Sequence, residues 1–274
     1  LRANSNFTDF DFEGSNLSVL IDTLAYNTYV TAYNTNMVAN ESFIDSATLR
    51  ENVVALARNV GYVPSSRRAS TANVSFTVDL GSGTTKSSVT LKSGLVALGD
   101  FANTNYTFCT PEDITSPVTD GFAEFTIDIK QGTFVTNEFV VDTSQPNQKF
   151  IIPNPYVDTS TLKVQVRDTL TSSSRKTYSQ IDNIVGISTH SETFLIQEIQ
   201  DEKYELLFGD GVLGKRLSNG NVINSTYIVT DGVGGNGVSN FSFSGKLVDN
   251  DGGLITSGIS DVIVNERSSN GAEV

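Results

Sequence analysis

The 274-residue chain has no tryptophan, one methionine, one cysteine (Cys109) and one histidine (His190). A lone cysteine excludes an intrachain disulfide framework and suits folding in a reducing cytosol. One Cys and one His cannot build a structural zinc site. Cys109 reads as a small semi-buried hydrophobe rather than a nucleophile, because His190 would be the imidazole left to activate it. His190 itself lies in the polar run 188–192 and reads as a solvated surface residue. The sequence carries no Ser-His-Asp or paired-carboxylate pattern, so we expect no catalytic residue, no cofactor and no metal. Positive charge is also scarce. Eighteen Lys and Arg against 31 Asp and Glu leave a formal charge of −13, which repels a phosphate backbone and argues against a nucleic-acid partner. Missing too are a signal peptide and any apolar run near the length of a membrane span, so no membrane partner is expected.

What is present is 38% hydrophobic and 18% charged residue content with abundant Ser, Thr, Asn and Gly, the composition of a turn-rich, β-rich globular protein. The seven N-x-S/T sequons are what chance supplies in such a chain. The chain begins at Leu1 rather than methionine, so an upstream part is expected to be missing.

Residues 7–13 alternate Phe10 and Phe12 with Asp9, Asp11 and Glu13, the pattern of an extended segment docking its aromatic face rather than of a metal cluster. Ser15 or Asn16 then caps a helix with apolar positions Leu17, Leu20, Ile21, Leu24 and Ala25 at helical spacing. Tyr26, Tyr29 and Tyr33 form a second, aromatic stripe beside it. The pattern breaks over 40–46 and resumes through Leu49, Val53, Leu56, Ala57 and Val60, until Gly61 and Pro64 end it. Residues 15–61 therefore read as two helices joined near Asn40. Two such helices make too small a core for themselves and are expected to bury their apolar faces against something else. Residues 65–68, with Arg67 and Arg68, read as a polar linker bearing a solvated pair of arginines.

From Ala72 the period changes to two: Val74, Phe76, Val78 and Leu80 share a face, then Val89, Leu91, Leu95 and Val96, Tyr106 and Phe108, and Phe125, Ile127 and Ile129. Val135, Phe139 and Val141 follow before a break at 145–147. A second β-rich stretch runs from Phe150–Ile152 through Leu162, Val164, Val166, Phe194 and Ile196, and ends with Ile259 and 262–264. These short strands with turns between them predict a mainly antiparallel sandwich or barrel-like arrangement. The fold class is thus α+β, a helical pair followed by β-rich regions. We divide the chain into 1–68, 69–146, 147–266 and 267–274, the last as the start of a truncated region.

The densest signal is 204–243, two apolar runs broken by glycine loops. Gly209-Asp210-Gly211-Val212-Leu213-Gly214 has the G-x-G-x-x-G spacing, but a dinucleotide cradle needs a helix to open at its third glycine. Here 218–220 is another turn and a β-branched run follows, so the loop reads as scaffold. Gly209, Gly211, Gly214 and Gly220, with Gly234, Gly235 and Gly237 in the next loop, are expected to permit positive φ or close backbone approach. Residues 249–253 lack the glycine and acid positions of an EF-hand and read as a surface turn.

Two stretches carry a family resemblance. The segment FDFEGSNLSVLIDTLAYNTYVTAYNTNMVANESFIDSATLRENVVALARNVGYVPSSRRAS resembles the N-terminal region of the baseplate wedge protein of T-even-type contractile-tailed phages. FGDGVLGKRLSNGNVINSTYIVTDGVGGNG is similar to the glycine signature of the wider baseplate J family. The resemblance implies a non-enzymatic virion subunit of the tail baseplate, assembled in the host cytoplasm. Its implied partners are a second copy of itself, a larger wedge subunit and a small sheath-initiator-like protein. It further implies six wedges around a central hub, with rearrangement relayed to sheath contraction, and a C-terminal domain beyond 274. The implied interface is helical: Leu17, Leu20, Ile21, Leu24, Tyr26, Tyr29, Tyr33, Leu49, Val53 and Leu56. The alternative reading is a free-standing β-rich binding module of adhesin or carbohydrate-binding type.

Overall fold

A computed structural model describes residues 16–59, 65–145, 147–181 and 186–273, side chains of Asn16, Arg58 and Asn59 excepted. The expectations for Phe10 and Phe12, the Ser15 and Asn16 caps, Val60, Gly61 and Pro64 lie outside what it describes. The chain divides into two compact units, Leu1–Pro64 and Ser65–Val274.

The first unit contains α1 (Asn16–Glu41) and α2 (Arg50–Asn59), the two helices that the apolar spacing predicts. What turns the corner between them is Glu41. Its carboxylate accepts Thr48 N at 3.0 Å, Thr48 Oγ1 at 2.7 Å, Leu49 N at 3.3 Å and Asn52 Nδ2 at 2.8 Å. It thereby supplies acceptors to amides just ahead of α2, where the helix leaves donors unpaired. These bonds, led by Asn52, hold the Glu41 carboxyl down to about 2.

The second unit begins with six strands: β1 (Thr71–Asp79), β2 (Ser88–Leu91), β3 (Gly94–Phe101), β4 (Thr104–Thr110), β5 (Ile114–Thr119) and β6 (Phe122–Gln131). Seven more form a second sheet: β7 (Thr133–Val140), β8 (Phe150–Ile152), β9 (Val157–Arg167), β10 (Lys176–Gln180), β11 (Thr193–Glu198), β12 (Tyr204–Phe208) and β13 (Val222–Val229). The last four are β14 (Phe241–Phe243), β15 (Leu247–Asp249), β16 (Leu254–Ile255) and β17 (Ile263–Ser269), and they return to the first sheet. Its strand order is β14-β3-β4-β6-β5-β2-β15-β16, with β1 joining β6 to β17; the second runs β7-β13-β9-β10-β11-β12-β8. Sheet membership therefore does not follow the linear division at 146. β7 already belongs with β13, and 241–269 pairs back onto 71–131, because backbone pairing is nonlocal and leaves no local mark in sequence.

Each sheet has its own core. In the first, Val74, Phe76 and Val78 alternate inward from β1 and meet Phe125 and Ile127 of the antiparallel β6; the Phe76 and Phe125 rings stack at 4.9 Å. Tyr204, Leu206, Phe194, Tyr227 and Ile223 fill the second. Leu95, grouped by spacing with Val96, instead faces solvent. A register shift between Leu95 and Ala97 buries the consecutive Val96 and Ala97 and turns Leu95 outward. The short strands β5, β10, β15 and β16 are absent from the sequence expectations; in β5, Pro117 and three hydroxyl-bearing residues mask an alternation of half-buried and exposed positions. One pairing, β10 on β11, is parallel.

The segment 66–70 is not a linker. Each residue is bonded to a different part of the seam between the sheets. Ser66 Oγ lies 2.8 Å from Thr159 Oγ1, and Arg68 and Ala272 exchange backbone bonds of 3.0 Å in both directions. Ala69 N donates to the buried Asp158 at 2.9 Å, and Ser70 Oγ donates to Gly235 O at 2.8 Å. Arg67 is not solvated: its side chain is 18% exposed and pairs with Glu273 at 2.8 Å. Arg68 is exposed, as the sequence reading holds for both.

Candidate assembly interface

α1 is an unbroken helix of 26 residues, about 39 Å long at 1.5 Å per residue. Thr23, Thr28 and Thr35 each donate their hydroxyl to the carbonyl four residues back at 2.8 Å. Their polar atoms are used inside the helix, and the apolar character of its surface is correspondingly greater. Leu20, Ile21 and Leu24 are exposed, Leu20 to 59%. Tyr26, Tyr29 and Tyr33 are exposed to 69%, 70% and 62%. Leu17, Val53 and Leu56 are half-buried and Leu49 is exposed.

Because the helix is continuous, 100° per residue fixes where these rows stand. The row Leu17, Leu20, Ile21, Leu24 and the row Tyr26, Tyr29, Tyr33 are centred roughly 160° apart. The tyrosines thus lie across the helix from the leucines, not beside them as expected from the sequence. Val19 and Met37, both exposed, extend the tyrosine side, and neither is singled out by its sequence neighbourhood. Phe43 and Ile44 add exposed apolar surface at the corner, where the helical period breaks and periodicity offers no signal.

The glycine loops are built differently. Gly209–Gly214 follows β12, and no helix follows it; 215–221 leads into β13. The amides that a phosphate would seek are occupied: Asp210 Oδ1 accepts Val212 N at 2.8 Å and Leu213 N at 2.9 Å. These two bonds, Leu213 first, hold the Asp210 carboxyl below its usual range. Gly211 N donates to Gly214 O at 3.1 Å and Gly214 N to Ser188 O at 3.2 Å, which closes the loop and fastens it to its neighbour. A Cβ on Gly209 would collide with the Gly214 backbone, whereas Gly211 is constrained by its φ of +93°. In the other loop, a Cβ on Gly235 would meet Gln131 Cγ and Ser70 Oγ at 2.6 Å; Gly234 meets nothing nearer than 3.7 Å. Gly214, Gly220 and Gly237 all have positive φ.

The remaining candidate groups are committed elsewhere. Cys109 is buried with Ala69 and Ile228 at the seam, and burial pushes its thiol up to about 12. His190 is exposed, its Nδ1 2.9 Å from Thr189 Oγ1. Asp249 and Asp251 hold the Lys86 ammonium at 2.8 and 2.6 Å, and Asp249 Oδ1 accepts Asp251 N and Gly253 N; this run is a hairpin turn between β15 and β16. Among the described residues no helix is long and apolar enough to cross a membrane.

An exposed apolar helix in one unit and glycine-built loops in the other are features of a structural, assembly-type protein. Residues 1–62 match the family described as baseplate wedge protein gp6-like, helical domain. Over 268 residues the chain is 30% identical to baseplate wedge protein gp6 of Enterobacteria phage T4, a match covering 90% of this chain and 39% of that protein. The chain is thus similar to the phage baseplate wedge proteins. It spans about two-fifths of the length of that relative.

Proposed function

We propose that α1 is the surface through which this chain assembles into a baseplate wedge, and that the protein acts as a scaffold rather than an enzyme. The observation that carries this reading is the pair of apolar rows on opposite sides of α1, exposed along most of the helix. One neighbouring chain cannot cover both sides, so the helix fits between two. A second copy of the chain and a different wedge subunit or small sheath-initiator-like protein are the partners proposed for them. Each large apolar side chain covered contributes about 1.5–3 kcal/mol, so it takes a whole row rather than part of one to offset an association cost of roughly 4–15 kcal/mol. In the same reading the double-sheet unit, tied at its seam, is a body that keeps its shape as wedges ring the hub and rearrangement is relayed to the sheath.

The test is co-assembly of the full chain with purified wedge partners, followed by gel filtration. Leu20→Glu with Leu24→Glu should remove one partner, and Tyr26→Glu with Tyr29→Glu the other, each leaving the β unit folded by circular dichroism. Normal co-assembly of both double variants would overturn the reading.

A further inference from the structure

β8 is an edge strand of the second sheet, and it is shorter than the strand it edges. It pairs with Tyr204–Leu206 and stops at Phe150, so among the described residues Leu207 and Phe208 of β12 have no strand on that side. A cavity of about 340 Å³ opens there, lined by Phe150, Phe208 and Leu217 and by the charged Glu205, Arg216 and Asp142. Ligand pockets run from roughly 300 to 1,000 Å³, so this one suits a single long side chain better than a folded segment.

The walls of the cavity are fixed. Gln148 Oε1 accepts Asp142 N and its Nε2 donates to Val140 O, both at 2.8 Å, and Thr143 N donates to Asn219 Oδ1 at 3.0 Å. Val141 N donates to Asn221 O and Val141 O accepts Gly220 N, both at 2.9 Å. The Phe150 and Phe208 rings meet edge to face at 5.7 Å.

Glu205 is the group in this cavity that the fold leaves unanswered. Its cross-strand neighbours are Ile151 of β8 and Gln197 of β11, and it is only 6% exposed. Among the described residues its carboxylate accepts no hydrogen bond and forms no ion pair. Burying an ionised carboxylate is unfavourable unless a donor of opposite charge meets it. Asp142 has no such need, since it accepts Ser144 N, Ser144 Oγ and Gln145 Nε2.

We propose that this cavity receives an arginine side chain from a neighbouring protein, its guanidinium meeting Glu205 and its stem lying along Phe150 and Phe208. A neutral sugar or amide would donate hydrogen bonds but leave the charge of Glu205 uncompensated. A lysine head is more strongly hydrated and loses more on entering an aromatic-walled space. A guanidinium stacks on rings and meets a carboxylate with two parallel donors. The formal charge of −13 draws a basic partner from a distance. The site belongs to the β unit and does not depend on which partners cover α1.

The test uses the full chain, carbon-13 labelled at its glutamate carboxyls, and the blocked tripeptide acetyl-Gly-Arg-Gly-amide as probe. The Glu205 signal should shift on titration with a Kd on the order of 1 mM, and the lysine tripeptide should bind more weakly. Glu205→Gln should weaken binding about tenfold or more, read at the Leu207 amide, as expected for losing a charge-assisted hydrogen bond. Arg216→Gln, an exposed change, removes a like charge from the lining and should tighten binding. In co-assembly with purified wedge partners, Glu205→Gln should raise the concentration for half-assembly about tenfold with α1 intact. Equal binding of a triglycine peptide, or binding and co-assembly unchanged in a folded Glu205→Gln chain, would overturn the proposal. So would binding that appears only after Arg216→Gln, because Arg216 would then fill the site itself.

Discussion

Gln131, the last residue of β6, accepts the Thr230 hydroxyl proton on its Oε1 at 2.6 Å, across 99 residues of sequence. The same oxygen accepts Asp231 N at 3.0 Å, and Gln131 Nε2 donates to Asp231 Oδ2 at 2.7 Å. Gln131 and Thr230 are both buried, and they mark the two points where the chain passes between the sheets, after β6 and after β13. A single amide side chain thus satisfies polar groups that the crossing of two sheets would strand away from water.

Replacing it should therefore cost more than one hydrogen bond. Gln131→Leu leaves the Thr230 hydroxyl and the Asp231 amide without their acceptor and is expected to destabilise the β unit by about 2–4 kcal/mol. Gln131→Glu keeps an acceptor but sets a second carboxylate against Asp231, and should also destabilise. Urea unfolding followed by tyrosine fluorescence measures both; a loss below about 0.5 kcal/mol for the leucine variant contradicts this role.

The glycines should rank by physical cause. Gly209→Ala drives a Cβ into the Gly214 backbone, so the loop itself must move, at about 2–4 kcal/mol. Gly211→Ala meets only Arg216 Cβ at 3.5 Å and costs mainly its left-handed φ, about 1–2 kcal/mol. Gly234→Ala should lie within about 0.5 kcal/mol of the parent. Thermal unfolding of the three variants gives the order, and a Gly234 variant as unstable as the Gly209 one would refute it.

Acid should loosen the helical corner late. Glu41 has a folded-state value near 2 against an ordinary 4.5. Its contribution is therefore full above the ordinary value and is lost as pH falls through the depressed one. Carboxyl carbon shifts followed by NMR should show Glu41 titrating near 2, with the Thr48 and Leu49 amide signals moving at the same midpoint. A Glu41 midpoint near 4.5 would show that the four bonds do not form in solution.

Cys109 should be inert while the seam is closed. Its thiol is raised to about 12 by burial, so at pH 8 almost none is thiolate. Labelling by a disulfide reagent is expected to follow unfolding of the β unit, with Gln131→Leu accelerating it. Rapid labelling of the native chain would place Cys109 outside the seam.

The helices and most long strands were legible because apolar positions recur with a fixed period. Leu17, Leu20, Ile21 and Leu24 repeat at helical spacing, and Val74, Phe76 and Val78 at strand spacing, and both patterns survive in the fold. Glu41 was not legible: nothing marks one carboxylate among many as the acceptor for amides seven and eight residues ahead. Arg67 was misread for a related reason. A Ser-Ser-Arg-Arg run looks solvated until Tyr156, Glu202 and Glu273 arrive from three distant turns.

Composition and periodicity by themselves determined the class of fold and the two helices, and the segments 10–70 and 208–237 carried the resemblance to baseplate wedge proteins. Each depends on residues close together in the chain, where spacing translates directly into one face or one turn. Tertiary structure alone decided that 241–269 returns to the first sheet and that 66–70 is seam rather than linker. Both depend on pairing between distant segments, which any strand-like sequence can supply.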